Sequence, residues 1–568
     1  MAGVVVSQVH GALQVILYID LETNMAHDTI WCAAYAIDDG DPEVTEDASV
    51  VRGLVARANK VVNHNLIGFD APLLEQLWDV KVPFQKMQDT LVMSRLHDPC
   101  KDGGHSLAAW GTALGCNKGD FRDYDAGFSD EMAEYAKQDI VVTRKVYKNL
   151  LKVLKDDDFS DESIKLEHQV AYILKKQEQH GVMFDIFNAL KLRDSLHLRM
   201  IDIETEMQEA FPPIITPRIG KRGKPLSDHV EVFNPGSRQQ IAKRLEGLGV
   251  KFTQQTEKGR AKVDEKVLAG IDRPEAKLIA EYLMLQKRVG LVDQWINYCK
   301  PTHRIHGGVV TNGAVTGRMT HRTPNMAQVP SCSAPYGEQC RELFIVPKGY
   351  KLVGIDAAAL ELCMLAHYMN DPAFTAAVVS GKKEDGTDVH TVNMKAAGLP
   401  TRDLAKTFIY ALLYGAGPGK IGRIAGGDYA TGEELMSRFM ANMPKLKDVL
   451  AMAKAKGREA RMMIGGLDGR QLRIRSEHSA LNTLLQGAGA IVMKKALVLF
   501  YNSLVSRKIP ANFVLNVHDE WQLEVQEDYA EQVAQLGIEA IKKAGVDLRL
   551  ACALDGEAKI GNNWAETH

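Results

Sequence analysis

Twice in this chain an apolar run suited to a buried strand ends on acidic residues. Residues 13–24 read LQVILYIDLETN, and residues 351–369 read KLVGIDAAALELCMLAHYM. Alternate side chains of a strand share a face, so Asp20 and Glu22 project together. Asp356 ends the second run just before a helix-like segment that carries Glu361. A core strand that happens to end in Asp is common, so the neighbours of each run decide between a structural and a chemical reading.

The first run has such neighbours. NHNLIGFDAPLL supplies Asn65 and Asp70, and YAKQDIVVT sets Tyr135 and Asp139 four apart, on one helical face. Acids gathered from these segments repel one another unless cations sit among them, and hard oxygen ligands suit Mg²⁺ or Mn²⁺. Two such ions can activate water and stabilise a leaving oxygen in phosphodiester hydrolysis.

The second run is joined by VLNVHDEWQLEV, which puts His518, Asp519 and Glu520 at the turn of a hairpin, and by TRDLAKTFIYALLYGAG. In the latter Arg402, Lys406, Tyr410 and Tyr414 recur every four residues, a slowly winding ridge on one helix face. By itself the ridge is either a solvated flank or a device for holding an anion. Beside two strand-end carboxylates it suits a nucleoside triphosphate: cations for phosphates, rings for sugar and base.

A length of 568 residues exceeds what one core supports and suggests three or four domains. The pattern is mixed strand and helix to about residue 155, acidic and linker-like over KDDDFSDES, and helical to about 300 apart from a Pro/Gly-rich loop, FPPIITPRIGKRGKPLSDH, carrying Arg218, Lys221, Arg222 and Lys224. Strands then return around a helical block over 385–460. A formal net charge of -3 decides nothing about nucleic acid, because a groove can be basic on an acidic surface. The eight cysteines show no CxxC pair and read as free thiols. No signal peptide or membrane span is expected, since the first apolar run is short and meets acids at once.

These segments resemble known families. The N-terminal acids, in order and spacing, resemble the three motifs of proofreading 3′–5′ exonucleases of the tyrosine-containing DEDD type. DAAALELCMLAH, RDLAKTFIYALLYG and VHDE resemble motifs A, B and C of family A DNA polymerases, TGRMTHRTPNMAQVP the segment before motif A, and HSALNTLLQGAGA the one before motif C. The match is to short phage replicative enzymes and covers nearly the whole chain.

The resemblance implies an α/β multidomain fold: an RNase H-like exonuclease domain over 1–157, then a right hand with thumb 158–300, palm 301–384 and 461–568, and fingers 385–460. It implies two Mg²⁺ at each site, replaceable by Mn²⁺: at Asp356 and Asp519 with Glu520 supporting, and at Asp20, Glu22, Asp70 and Asp139 with Tyr135 orienting water. Arg402, Lys406 and His390 would meet the triphosphate, Tyr410 the sugar, and Tyr414 the templating pocket, with Lys406 also catalytic. Glu361 would be the gate against a ribose 2′-OH. Arg318, Gln486, Asn482 and His518 would contact primer–template DNA, and Asn65 single-stranded DNA at the exonuclease site.

Implied partners are dNTPs, primer–template DNA, a phage helicase–primase and a single-strand-binding protein, for a monomer in the cytoplasm of an infected bacterium. Thioredoxin is not expected, since only the basic loop at 212–230 lies where a thumb insertion would be. Tyr410, Phe in many bacterial relatives, implies weak discrimination against dideoxynucleotides. Cys363 and His478 stand where Arg is usual.

Overall fold

The computed structural model describes residues 14–568 apart from residues 220, 222 and 300. Leu13 of the first apolar run and Arg222 of the basic loop thus lie outside the described residues. The chain divides into two compact units, one of residues 1–180, 307–327 and 349–560, the other of 181–306, 328–348 and 561–568.

In the first unit, strands Ile16–Thr23 and Ile30–Ile37 form an antiparallel pair, within a five-stranded sheet that adds Glu43–Thr45 outside Ile30–Ile37, then Lys60–Asn63 and Met87–Asp89 beyond Ile16–Thr23. The last two run parallel to the first strand. Leu17, Ile19 and Leu21 pack in one core layer and Tyr18 in the other, against Ile140 and Val146 of helix Asp130–Asp156. Asp20 and Glu22 share the parity of Tyr18, so they face the helix that carries Tyr135 and Asp139.

A second sheet in this unit runs in the order Ala511–Val517, Glu520–Gln526, Tyr350–Ala357, Gly556–Gly561. Asp356 lies opposite Glu520 in the register, and Asp519 occupies the turn before it. Helix Ala480–Ser506 lies in the core beneath; its span is long and apolar enough to cross a membrane, but 78% of that stretch is buried inside the protein. The block over 385–460 is helical as expected, with helices Val389–Ala397, Arg402–Leu413, Pro418–Ile424, Tyr429–Asn442 and Pro444–Arg458.

The acidic stretch read as a linker is mostly helical. Only residues 157–160 separate helix Asp130–Asp156 from Asp161–His180, where Asp161 and Glu162 suit the positive end of the helix dipole. Gly181 follows at φ 68°, a left-handed conformation that ends the helix.

The second unit is built on helices Ile186–Ala210 and Pro274–Tyr298 and a small sheet of Phe344–Ile345, Val182–Phe184 and Arg304–Ile305. The segment read as a Pro/Gly-rich loop is instead a hairpin of Ile214–Ile219 and Pro225–Glu231. The reading missed it because prolines normally exclude strands. Here Pro217 sits where the register slips between Thr216 and Arg218, and Pro225 begins its strand, two positions where a missing N–H costs no ladder bond. Ile215 and Ile219 stand 62% and 75% exposed, so the hairpin buries little and gives no hydrophobic alternation to read.

Candidate active sites

The first site gathers three of the four expected carboxylates. One oxygen each of Asp20, Glu22 and Asp139 lies within 4.8 Å of the others. Asn63 Nδ2 donates to Asp20 Oδ1 at 2.9 Å. Asp70 stands behind this group, fully buried, its Oδ1 accepting from the Leu21 N–H at 3.2 Å. The Tyr135 hydroxyl accepts from Tyr124 at 3.2 Å. The Lys118 ammonium contacts Asp139 Oδ2 and lies 4.6 Å from the Tyr135 ring centre. Asn65, at φ 72°, joins Phe69, Leu91 and Leu107 in lining a cleft of about 700 Å³ around the acids.

Electrostatics explain what such a site wants. Burial, then the charges of Asp20 and Asp139, push the Glu22 carboxyl up to about 9. Burial and Asp20 bring Asp139 to about 7, against the pull of Lys118. Asp20 is raised as well, chiefly by burial. A cluster of hard oxygens that resists ionising alone fits a divalent cation. Folded protein lacking metal holds protons on Glu22 and Asp139 that the unfolded chain has released above its ordinary carboxyl range. The stability they confer is therefore full below that range and lost as pH rises through about 7 to 9. A divalent cation held by these acids would displace those protons, so thermal stabilisation by Mn²⁺ over EDTA should grow between pH 5.5 and 8.5. The part of that gain absent in Asp20→Ala belongs to this site, and a pH-independent gain would contradict the assignment.

The second site lies at the end of the other sheet. Asp356 is exposed at its strand end, Asp519 is half-buried in the adjoining turn, and the Ala357 N–H donates to the Asp519 carbonyl at 3.3 Å. Glu520 is buried and accepts from Gln522 Nε2 at 2.5 Å, so it sits behind the two aspartates. His518, at φ 56°, is turned out beside them and lines a small cleft with Arg318, Gly489, Ala490 and Met493. Asn482 and Gln486, half-buried, precede Ala490 at four-residue steps on the same helix face.

Glu361 holds the centre of a small array: Arg318 Nη2 donates to its Oε1 at 3.0 Å, and the Tyr414 hydroxyl donates to the same oxygen at 2.6 Å. The ridge is present, with Arg402 to Leu413 helical and Tyr414 at its end. Arg402 is paired with Asp388 at 2.9 Å, while Lys406 is exposed. Tyr410 is half-buried, its ring centre 6.3 Å from that of His390. His390 Nδ1 is buried with no hydrogen-bond partner among the described residues. Cys363 is buried and donates to the Ala358 carbonyl at 3.8 Å, and His478 is exposed.

Comparison with known proteins decides the family. The model of DNA polymerase family A matches residues 218–566. The DNA-directed DNA polymerase of Escherichia phage T7 is 34% identical over 90% of this chain and 93% of its own length. The enzyme of Enterobacteria phage T3 matches with the same identity and coverage. The chain belongs to DNA polymerase family A. This family A polymerase also shares its fold with the POL domain of Pol1 from M. smegmatis, solved in complex with DNA primer-template and dNTP, at TM-score 0.81 and 18% identity over 98% of this chain and 96% of that one.

Sequence reading of the polymerase missed Lys118, Asn63 and Asp388. Lys118 stands in a loop 21 residues before Asp139, and no spacing rule links the two. Asn63 was visible in the quoted NHNLIGFD segment as the last residue of a strand parallel to the one bearing Asp20, a placement set by sheet order.

Proposed function

We propose that this family A polymerase extends a primer 3′ end with dNTPs under template direction and proofreads in a separate 3′–5′ exonuclease site. One observation carries the reading: a single unit holds two distinct strand-end carboxylate sites, each with its own complement of groups. Asp519 lies near enough to Tyr410 of the ridge to raise its hydroxyl, whereas Asp20, Glu22 and Asp139 surround Tyr135 and Lys118.

In this reading the exonuclease is an RNase H-like domain over 1–157, followed by thumb 158–300, palm 301–384 and 461–568, and fingers 385–460. Asp356 and Asp519, with Glu520 behind, would hold two Mg²⁺, and Asp20, Glu22, Asp70 and Asp139 two more, with Mn²⁺ able to substitute. Such ions neutralise developing charge on the attacking and leaving oxygens. Lys406, Arg402 and His390 hold the triphosphate; Arg402 would exchange part of its contact with Asp388 for phosphate. Tyr410 lies against the sugar, and Tyr414 closes the template side. Arg318, Gln486, Asn482 and His518 follow the minor groove, where acceptors sit alike for every correct pair. Tyr135 orients the hydrolytic water, Asn65 contacts the frayed strand, and Lys118 places positive charge beside the scissile phosphate.

A labelled primer–template tests the whole. With Mg²⁺ and dNTPs the primer should lengthen, and with Mg²⁺ alone it should shorten from its 3′ end; a primer untouched in both conditions would overturn the proposal.

Glu361 is the gate against ribonucleotides, and its two hydrogen bonds fix its place. Glu361→Ala should lower dNTP-over-rNTP selectivity by about 10–200-fold, the worth of one contact in a fitted pocket. Single-turnover incorporation of paired rNTP and dNTP measures this, and unchanged selectivity would remove the assignment.

A further inference from the structure

Residues 114–129 join helix Leu107–Ala113 to helix Asp130–Asp156, which carries Tyr135 and Asp139, and form neither helix nor strand. Yet this loop is fastened to the strand pair that presents Asp20 and Glu22. Trp31 Nε1 donates to the Tyr124 carbonyl at 2.8 Å, and the Met25 N–H donates to Asp125 Oδ1 at 2.9 Å.

So fastened, the loop encloses the Tyr135 ring. At Gly119 an added Cβ would come 3.1 Å from Tyr135 Cδ2, so the backbone lies close against the ring and a side chain there would crowd it. The Phe121 ring centre lies 5.6 Å from that of Tyr135 and 5.2 Å from that of Tyr124. Tyr124 completes the enclosure by donating its hydroxyl proton to the Tyr135 oxygen at 3.2 Å.

That bond has a directional consequence. A phenol has one proton to give and lone pairs with which to accept. Tyr124 fills one acceptor position on the Tyr135 oxygen and so turns the Tyr135 proton away from itself. Tyr124, Tyr135, Glu22 and Asp139 line one cleft, where a proton aimed toward the acids is favoured and lone pairs aimed there are repelled.

We propose that Tyr124 is a positioning residue for 3′ hydrolysis: by donating to the Tyr135 hydroxyl it fixes the one orientation in which Tyr135 holds the attacking water. The inference rests on the proofreading reading above. Tyr124 acts through Tyr135, so what it supplies is alignment of the reacting groups and not grip on the strand.

The test uses the full chain, Mg²⁺ and a 5′-labelled oligothymidylate. Tyr124→Phe keeps the ring beside Phe121 and the backbone bond to Trp31, and removes only the hydroxyl. It should lower kcat for hydrolysis about tenfold, the worth of one net hydrogen bond, with KM near that of wild type. In a Tyr135→Phe background the same change should cost almost nothing, because the oxygen through which it acts is gone. Thermal stabilisation by Mn²⁺ over EDTA should stay at the wild-type level, since the lost bond goes to Tyr135 and not to an acid.

Wild-type kcat in Tyr124→Phe overturns the proposal, and so does a Tyr135→Phe variant as fast as wild type. An equal fold-loss from Tyr124→Phe with and without the Tyr135 hydroxyl means that Tyr124 acts elsewhere, and a raised KM with unchanged kcat means that it binds the strand; either result overturns it. A fall in kcat together with lost Mn²⁺ stabilisation means a disturbed acid cluster, a structural role that overturns it as well. Failure of the underlying reading looks different: wild type and Asp20→Ala would then be equally unable to shorten the oligonucleotide.

Discussion

Asp356→Ala should cut primer extension on the order of a thousandfold while 3′ shortening of a single strand persists, and Asp20→Ala should do the reverse. The size is that of removing one preorganised group from a site that stabilises developing charge. Asp356 reaches solvent from a strand end, opposite Glu520 in the register, and substitution there disturbs little packing. Asp20 sits on another sheet, tied to Asn63. The two substitutions therefore act on separate chemistry, and rates of extension and of degradation measured on one labelled primer separate them. Extension that survives Asp356→Ala would refute the placement of the polymerase site, and degradation that survives Asp20→Ala would refute that of the exonuclease.

A second large effect is expected from a buried charge cluster whose Lys494 lines the same cleft as Asp519. Glu167, on helix Asp161–His180, is wholly buried with Lys494 and Arg470, each 2.6 Å from Glu167 Oε1. Arg470 is further tied to Asp468 at 2.7 Å, and Lys494 donates to Asn312 Oδ1 at 2.8 Å and to the Gly317 carbonyl at 2.9 Å. Burial alone would raise the Glu167 carboxyl, but the two cations outweigh it and hold it below its usual range, ionised at neutral pH. Burial lowers Lys494 to about 8, which leaves it protonated there too.

Glu167→Ala would leave buried Lys494 without an acid and Arg470 with Asp468 alone, and the cost of breaking such a buried pair is about 3–5 kcal/mol. The urea midpoint of the transition reporting this unit should fall accordingly, and a loss under about 1 kcal/mol would mean that water or motion already serves these charges. The same variant should loosen sugar selection, because the loop hung from Lys494 at Gly317 continues directly into Arg318 and its bond to Glu361.

Much of both candidate sites is legible in the amino-acid sequence. A strand announces itself by an apolar run, and an acid at its end is a local event, so Asp20, Glu22, Asp356 and Asp519 could be read off directly. The ridge from Arg402 to Tyr414 followed from a four-residue step on a helix, another local rule. The hairpin at 214–231 was misread because its strands bury almost nothing, and period-2 alternation is written only where one face is covered.

What the sequence determined by itself is the set of elements and the acids they present, since backbone geometry and hydrophobic periodicity act over a few residues. Only the tertiary structure decided that Lys118 enters the cluster of Asp20, Glu22 and Asp139 and that Glu167 is neutralised by residues more than 300 positions away. Those pairings depend on which buried faces meet when the sheets and helices pack. The Coulomb and desolvation energies that fix each charge exist only after that packing has excluded water.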